Sequence, residues 1–360
     1  MKVLCVFTTL LGHKTTVRKL KDVLDHLPGI EPTYVLVGLE DYALYPPPWW
    51  ARATHPWQGQ YMARQKAKPL MGQHFDALFV NAWELVVAFR DLARRLPAAA
   101  MMDSVPATVD AQQRLQGAHS WRRSLSHQIH HRSFTRAVSS FDLFLPMGSD
   151  CGDALYSQYG VERERCFLTL APQDLESSKP GPSTHPPPMR LLFVGNDFAR
   201  KGGEFLLLLY SEHLASACTL TIVSSDPALV GRQLPAGVER LGPLSLDRLR
   251  QVFRESHLFA FPTQQDFMPQ VLAEALAFGL PCMANDVGGV RDLVHDGETG
   301  FLMSRDDPPE VWAERLQRLA ADPVDLARMS ASARRFAEER LSLDRFKRLI
   351  ADVLERLRTA

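Results

Sequence analysis

Along this chain, short and almost unbroken apolar runs alternate with longer amphipathic segments, and a proline-rich stretch divides the alternation into two halves. An apolar run without polar alternation is what a strand needs when helices cover both of its faces. That arrangement is a parallel sheet, and it restricts the chain to the α/β class. In the first half the runs are 2–7, 32–38, 76–80, 98–103 and 143–147, with helical patterns near 15–26, 84–96 and 119–139. In the second they are 190–195, 218–225, 257–263 and 280–286, with helical patterns at 202–214, 245–255, 269–278 and 310–320.

The divider is SSKPGPSTHPPPM at 177–189, whose five prolines suit neither a helix nor an inner strand. With 360 residues, each half is long enough to bury its own core. The expected division is a first Rossmann-like domain at 1–178, a linker at 179–189, a second such domain at 190–340, and an amphipathic helix at 341–360 crossing back to the first. Two doubly wound domains would place a ligand cleft between the C-terminal ends of their strands.

A formal net charge of +0, from 41 basic and 41 acidic residues, argues against bulk nucleic-acid binding. Five scattered cysteines without a CxxC pair fit reduced thiols in a cytoplasmic protein and give no metal site. The start, MKVLCVFTTLLGHKTT, has one Lys before an apolar run. No small-residue cleavage site follows and a helical pattern continues, so it reads as a first strand. No apolar stretch approaches the roughly 20 residues that span a bilayer.

Two segments of the second half are suited to phosphate. LLFVGNDFARKGGEFLLLL (191–209) reads as strand, loop and helix. Arg200 and Lys201 precede Gly202 and Gly203, and paired cations beside a helix start can hold a diphosphate. The same pair could equally be a basic surface cap. FPTQQDFMPQVLAEALAFGLPCMANDVGGVRDLVHDGETGFLM (261–303) holds a second helix start, with Asp266 before it and Glu274 eight residues on. Pro269 suits the first helical position. The N–H groups of Gln270, Val271 and Leu272 are then expected to be free for a ligand. Glu274 lies on an otherwise apolar helix and needs a partner there, either ligand hydroxyls or protein groups. In the first half, Gly12 in the strand-to-helix turn 8–16 permits close approach of backbone to a ligand.

These pieces together resemble the retaining glycosyltransferases of the GT-B fold, in the large bacterial family 4 (group 1) that carries a Glu–seven residues–Glu signature. The resemblance covers about residues 190–303; 141–161 is similar to that family's strand and helix before the linker. It implies two Rossmann-like domains facing a cleft and a nucleoside-diphosphate sugar as donor substrate. Glu274 would bind the ribose, Asp266 the hydroxyls of the donor sugar, and Arg200 and Lys201 the diphosphate. Gly12 would offer N–H groups to the same phosphates, and Met268, Pro269, Gln270 and Val271 would complete the donor wall. The chain departs from the family at Asp266, one methylene shorter than Glu, and at Asn196, where many members carry arginine. The run APQDLE replaces a common Pro-Pro-Gly.

The implied reaction moves a hexose-type sugar to a hydroxyl with retention. Charge developing on the leaving diphosphate would be met by Arg200, Lys201 and the helix starts. No Asp-x-Asp metal motif occurs, so no metal or other cofactor is expected. Asp103, after the 98–103 strand, is placed to orient the acceptor or accept its proton, or else to cap the next turn. The expected acceptor is a glycan or lipid-linked glycan in polysaccharide biosynthesis. Residues 111–140 carry five arginines and no acid, with Trp121 and Phe134 among them, as a helix resting on the inner face of a membrane would or as a solvated helix face would. Trp49, Trp50 and Trp57, in YPPPWWARATHPW (45–57), could stack on sugar rings or pack beneath a loop. A sugar-nucleotide epimerase of the same fold and a non-catalytic sugar-nucleotide-binding scaffold are the competing functions.

Overall fold

The computed structural model describes residues 1–9, 12–46, 55–115, 121–178, 180–181 and 188–359, with 42, 55, 115 and 121–124 described by their backbone alone. Trp49, Trp50 and the prolines at 182, 186 and 187 lie outside the described residues. The apolar runs form strands: β1 (Lys2–Thr8), β2 (Glu31–Val37), β3 (Ala77–Asn81), β4 (Ala98–Met102) and β5 (Leu143–Pro146) in the first half. They pair in the order β2-β1-β3-β4-β5, all in parallel. The second half has β6 (Met189–Val194), β7 (Cys218–Val223), β8 (Val238–Leu241), β9 (Leu258–Phe261), β10 (Cys282–Asn285) and β11 (Gly300–Met303). Their order is β11-β10-β9-β6-β7-β8, again parallel throughout.

The reason for parallel pairing is visible in the burial. Residues of β3, β4, β9 and β10 are buried without alternation. Helices therefore cover both faces of these inner strands, and each fully buried Leu or Phe contributes about 1.5–3 kcal/mol. The connections are too long for hairpins and run through helices instead.

The chain forms two compact units, Met1–Leu170 with Asp344–Ala360, and Ala171–Leu343. Residues 171–178, assigned by the proline signal to the first domain, thus pack with the second unit. The Gln173 amide donates to the Leu341 carbonyl, and the Leu343 amide donates to the Gln173 carbonyl. Arg254 and Arg334 hold the carbonyls of Ser177 and Ser178. The Leu343–Thr359 helix buries Phe346, Ile350, Val353, Leu354 and Leu357, a helical stripe. Arg356 on it stacks 4.9 Å over the Phe167 ring in the first unit.

In each sheet the strand order reverses once. The first unit turns from β1–β2 to β3 on the other side of β1, and the second from β6–β7–β8 to β9 on the other side of β6. Crevices outside the strand C-termini at such reversals are where open α/β sheets bind ligands. A buried asparagine fixes the place in the first unit, and in the second another ties the end of β10 to the loop after β9. Asn81 accepts from the Thr8 amide at 2.6 Å and donates to the Thr8 carbonyl at 3.1 Å. Asn285 donates to the Thr263 carbonyl at 3.1 Å.

Several boundaries differ from the sequence expectation. The 84–96 pattern is two short helices, Trp83–Ala88 and Arg90–Ala93, broken at Phe89. The 202–214 pattern is a helix at Gly203–Leu209 continued by a π-helical turn at Tyr210–Leu214. Strands β8 and β11 were not anticipated.

Candidate functional site

The β6–β9 reversal in the second unit carries the loops that hold the phosphate-type residues. After β6, residues 195–202 fold back on themselves through hydrogen bonds from Lys201 N–H to the Asp197 carbonyl and from Gly203 N–H to the Phe198 carbonyl. Gly202 has φ +83°, and a Cβ there would lie 1.9 Å from the Pro262 carbonyl oxygen. Only glycine lets the loop after β6 touch the one after β9 so closely. The two loops are joined again by the Gln264 amide, which donates to the Arg200 carbonyl at 2.9 Å.

Arg200 and Lys201 are both engaged. The Arg200 guanidinium donates to Asp197 at 2.6 Å and to the Gln265 carbonyl at 2.8 Å, and stays part-exposed. Lys201 donates from Nζ to Asp266 Oδ2. Its side chain is 17% exposed and that of Asp266 15%, so the pair is largely out of water. The ammonium also lies 5.1 Å from the centroid of the Phe261 ring. Asn196, in the place of the family's arginine, accepts from the Ser225 amide at 3.1 Å and supports the turn after β7.

The segment after β9 stays extended to Pro269. The Gly289 amide donates to the Phe267 carbonyl at 2.8 Å, and Met268 is buried against this turn. The Gln270–Ala277 helix therefore begins one residue later than expected. Pro269 is its N-cap, with ψ +103°, rather than its first helical residue. A second correction follows: the Leu272 amide is not free but donates to the Pro269 carbonyl at 3.1 Å. Gln270 and Val271 are half-buried at the helix start, and Glu274 lies one turn further in, also half-buried. The Gln270 amide oxygen is buried without a hydrogen-bond partner among the described residues, an acceptor suited to a ligand donor. The structure thus groups Arg200, Lys201, Asp266, Met268, Pro269, Gln270, Val271 and Glu274 in one unit, on two adjoining loops and the helix after them.

Gly12 and Asp103 belong to the first unit. Gly12 caps the His13–Asp25 helix after β1, with open space where a Cβ would be. Asp103 follows β4, half-buried, and accepts from the Ser104 hydroxyl at 3.0 Å. Sequence reasoning missed their neighbour Glu84. After β3, Ala82 adopts a left-handed φ of +69° and turns the chain into the Trp83–Ala88 helix. Crowding by protein atoms pushes the Glu84 carboxyl up; His13 opposes this and the Asp103 carboxylate adds to it. His13, Glu84 and Asp103 come from turns after the adjacent strands β1, β3 and β4, so their charges act on one another at one sheet edge. In the sequence Glu84 is only an acid in the first turn of a helix, a common stabilising placement.

Trp57 packs 5.5 Å from the buried His130 ring, with Trp83 on another side at 5.2 Å. Burial holds the His130 imidazole down, to about 4. Among the described residues no group of three or more His, Cys, Asp or Glu side chains is arranged to hold a metal ion, and no helix is long and apolar enough to cross a membrane.

Two parallel-sheet α/β units of this kind define the GT-B fold of glycosyltransferases. Sucrose-phosphate synthase from Thermosynechococcus elongatus superposes with TM-score 0.77 at 15% identity, covering 99% of both chains. Anabaena HepE, solved in complex with UDP and glucose, gives 0.70 at 16% identity, also covering 99% of both chains. Residues 188–322 match the model of the family described as "Glycosyl transferases group 1".

Among curated proteins, D-inositol 3-phosphate glycosyltransferase of Rhodococcus opacus (strain B4) is 30% identical over 227 residues, 56% of this chain and 51% of that one. The protein of the same name from Streptomyces bingchenggensis (strain BCW-1) is 34% identical over 243 residues, 60% and 53% of the respective chains. The chain spans about half the length of these relatives. Position 266 is Asp, so the Glu–seven residues–Glu signature itself is absent.

Proposed function

We propose that the chain is a retaining glycosyltransferase that moves a hexose-type sugar from a nucleoside diphosphate to a hydroxyl of a glycan or lipid-linked glycan. The observation that carries this is the junction of the 195–202 and 262–269 loops at the β6–β9 reversal, within the segment that matches the group 1 family. It joins Arg200 and Lys201 to Gln264, Gln265 and Asp266, on the loop that leads into the Gln270–Ala277 helix. Cations and a helix start together suit a leaving diphosphate. The buried Gln270 oxygen and the Glu274 carboxylate suit ribose hydroxyls. The HepE complexes with UDP and UDP-glucose support a nucleotide sugar as the class of donor.

In this reaction the bond from the anomeric carbon to the phosphate oxygen breaks and one to the acceptor oxygen forms on the same face. The guanidinium and ammonium meet charge that grows on the departing oxygen, which needs no metal; chelation with EDTA is expected to leave turnover unchanged. Asp103, with Glu84 beside it, is proposed to orient the acceptor hydroxyl or take its proton. The Trp121–Val138 helix supports a peripheral membrane position on the cytoplasmic side. Leu125, Ile129, Arg132 and Arg136 are exposed on it at i, i+4, i+7 and i+11, one outward stripe of apolar and basic side chains.

The test is donor consumption. Labelled UDP-, GDP- and ADP-sugars are incubated with the protein, with and without glycan and lipid-linked acceptors. Acceptor-dependent release of the diphosphate is expected from one donor class. An altered free sugar formed without acceptor would mean an epimerase, and no consumption at all would mean a non-catalytic binder.

A further inference from the structure

The Lys201–Asp266 pair gives the acid a task other than binding sugar. We propose that Asp266 is a positioning residue for Lys201, tempering the grip of its ammonium on the leaving diphosphate, rather than a ligand of the donor sugar. This rests on the donor-site reading above and assigns a different role within it.

Geometry and charge support the assignment. Asp266 Oδ2 receives the Lys201 Nζ–H donor directly, and both side chains are mostly buried. A pair so far out of water interacts more strongly than an exposed one, and removing the carboxylate takes from the buried ammonium its direct counter-charge. The Lys201 stem is held in place too: a Cβ on Gly195 would lie 3.3 Å from Lys201 Cγ, so the lysine packs against bare backbone. The ammonium is thus fixed between the Phe261 ring and the Asp266 carboxylate. Arg200 differs, with its counterion Asp197 half-exposed and water-screened.

A diphosphate reaching Lys201 therefore competes with a carboxylate already in place. The short arm of Asp keeps that carboxylate on its own loop, beside the lysine. The consequence for catalysis is product release: a bare, dehydrated lysine would retain the nucleoside diphosphate, and one shared with Asp266 lets it go.

Direct titration of UDP, GDP and ADP by calorimetry separates the roles. Wild type is compared with Asp266→Asn, Asp266→Glu, Lys201→Met and the Lys201→Met/Asp266→Asn double variant. The diphosphate that wild type binds is expected to bind Asp266→Asn about tenfold more tightly, about 1.4 kcal/mol. Asp266→Glu retains the charge and is expected to stay within twofold of wild type. Lys201→Met is expected to bind weakly, and adding Asp266→Asn to it should change nothing further, because the acid acts through the lysine. Asp266→Ser takes the place of Asp266→Asn if the latter does not fold.

The proposal is overturned if Asp266→Asn leaves diphosphate affinity unchanged and weakens only the intact nucleotide sugar, the pattern of a sugar-hydroxyl ligand. It is overturned as well if the double variant binds more tightly than Lys201→Met. A wild type that binds none of the three diphosphates instead removes the donor-site reading itself, and this inference with it.

Discussion

Replacing Gly202 by alanine should damage both the stability of the second unit and its ligand site. Gly202 sits in the left-handed region at φ +83°, where a side chain costs about 1–2 kcal/mol. The added Cβ would also meet the Pro262 carbonyl oxygen at 1.9 Å and its carbon at 2.5 Å. Both are backbone atoms, so the loop after β9 must retreat to relieve the contact. Overpacking of that kind costs about 1–3 kcal/mol. The expected total is about 3 kcal/mol, which for a unit of this size lowers the melting temperature by about 6–12 °C.

Gly231→Ala is the control. Its φ is +71°, yet nothing lies within 4 Å of the added carbon, so only the backbone cost of about 1–2 kcal/mol applies. Thermal unfolding of both variants measures the difference, and nucleotide titration reads the consequence for the site. Moving Pro262 carries Asp266 and the Gln264–Arg200 hydrogen bond with it, so Gly202→Ala should bind nucleotide at least tenfold more weakly, with Gly231→Ala unchanged. A Gly202→Ala protein no less stable than Gly231→Ala, with intact nucleotide binding, would refute the close junction of the two loops.

Three further outcomes are expected. Arg200→Ala and Glu274→Ala should each lose at least tenfold in transfer rate, about 1.4 kcal/mol of barrier, in an assay with saturating acceptor; wild-type rates in both would remove these residues from the site. Glu84 has a folded-state pKa raised above its ordinary 4.5, so the native state holds the extra proton and stability falls as pH rises from about 4.5 through the raised value. Glu84→Gln should abolish that fall, making the variant gain stability over wild type between pH 4 and pH 7 in urea titrations; a constant difference at both pH values contradicts the shift. Arg132→Glu/Arg136→Glu should weaken co-sedimentation with phosphatidylglycerol vesicles, by about 1 kcal/mol per arginine removed, and equal binding by wild type and variant would exclude this helix as the contact.

What could be read in the sequence was whatever depended on local pattern. Strands such as 2–7 and 98–103 are buried on both faces, so their apolar runs are unbroken and easily seen. Strand β8, VERL, lies at the sheet edge with half-exposed residues, and no apolar run marks it. Strand β11 is four residues long and follows the turn-forming DGET, so its short apolar run does not stand out. Pro269 followed the usual preference for the first helical position until tertiary contact intervened: the bond from Gly289 to Phe267 keeps the preceding segment extended, which moves the helix start to Gln270.

The site divides in the same way. Arg200, Lys201, Asp266 and Glu274 stood out by residue type and by adjacency to helix starts. That Lys201 and Asp266 neutralise one another could not be seen, because 65 residues separate them and only the crossing of β6 beside β9 joins them. Glu84 was missed for a like reason: its neighbours His13 and Asp103 come from turns after other strands. The proline-rich segment pointed to a boundary, but pairing of Gln173 with Leu341 and Leu343 draws 171–178 into the second unit.

The donor site is tested most directly by melting the protein in the presence of UDP-, GDP- and ADP-sugars, with Glu274→Ala alongside. A ligand at 100 times its dissociation constant adds about 2.7 kcal/mol of stability. One class of nucleotide sugar should raise the melting temperature of wild type and leave Glu274→Ala unmoved. No shift with any of the three, or an equal shift in both proteins, would contradict a nucleotide-sugar site at the start of the Gln270–Ala277 helix.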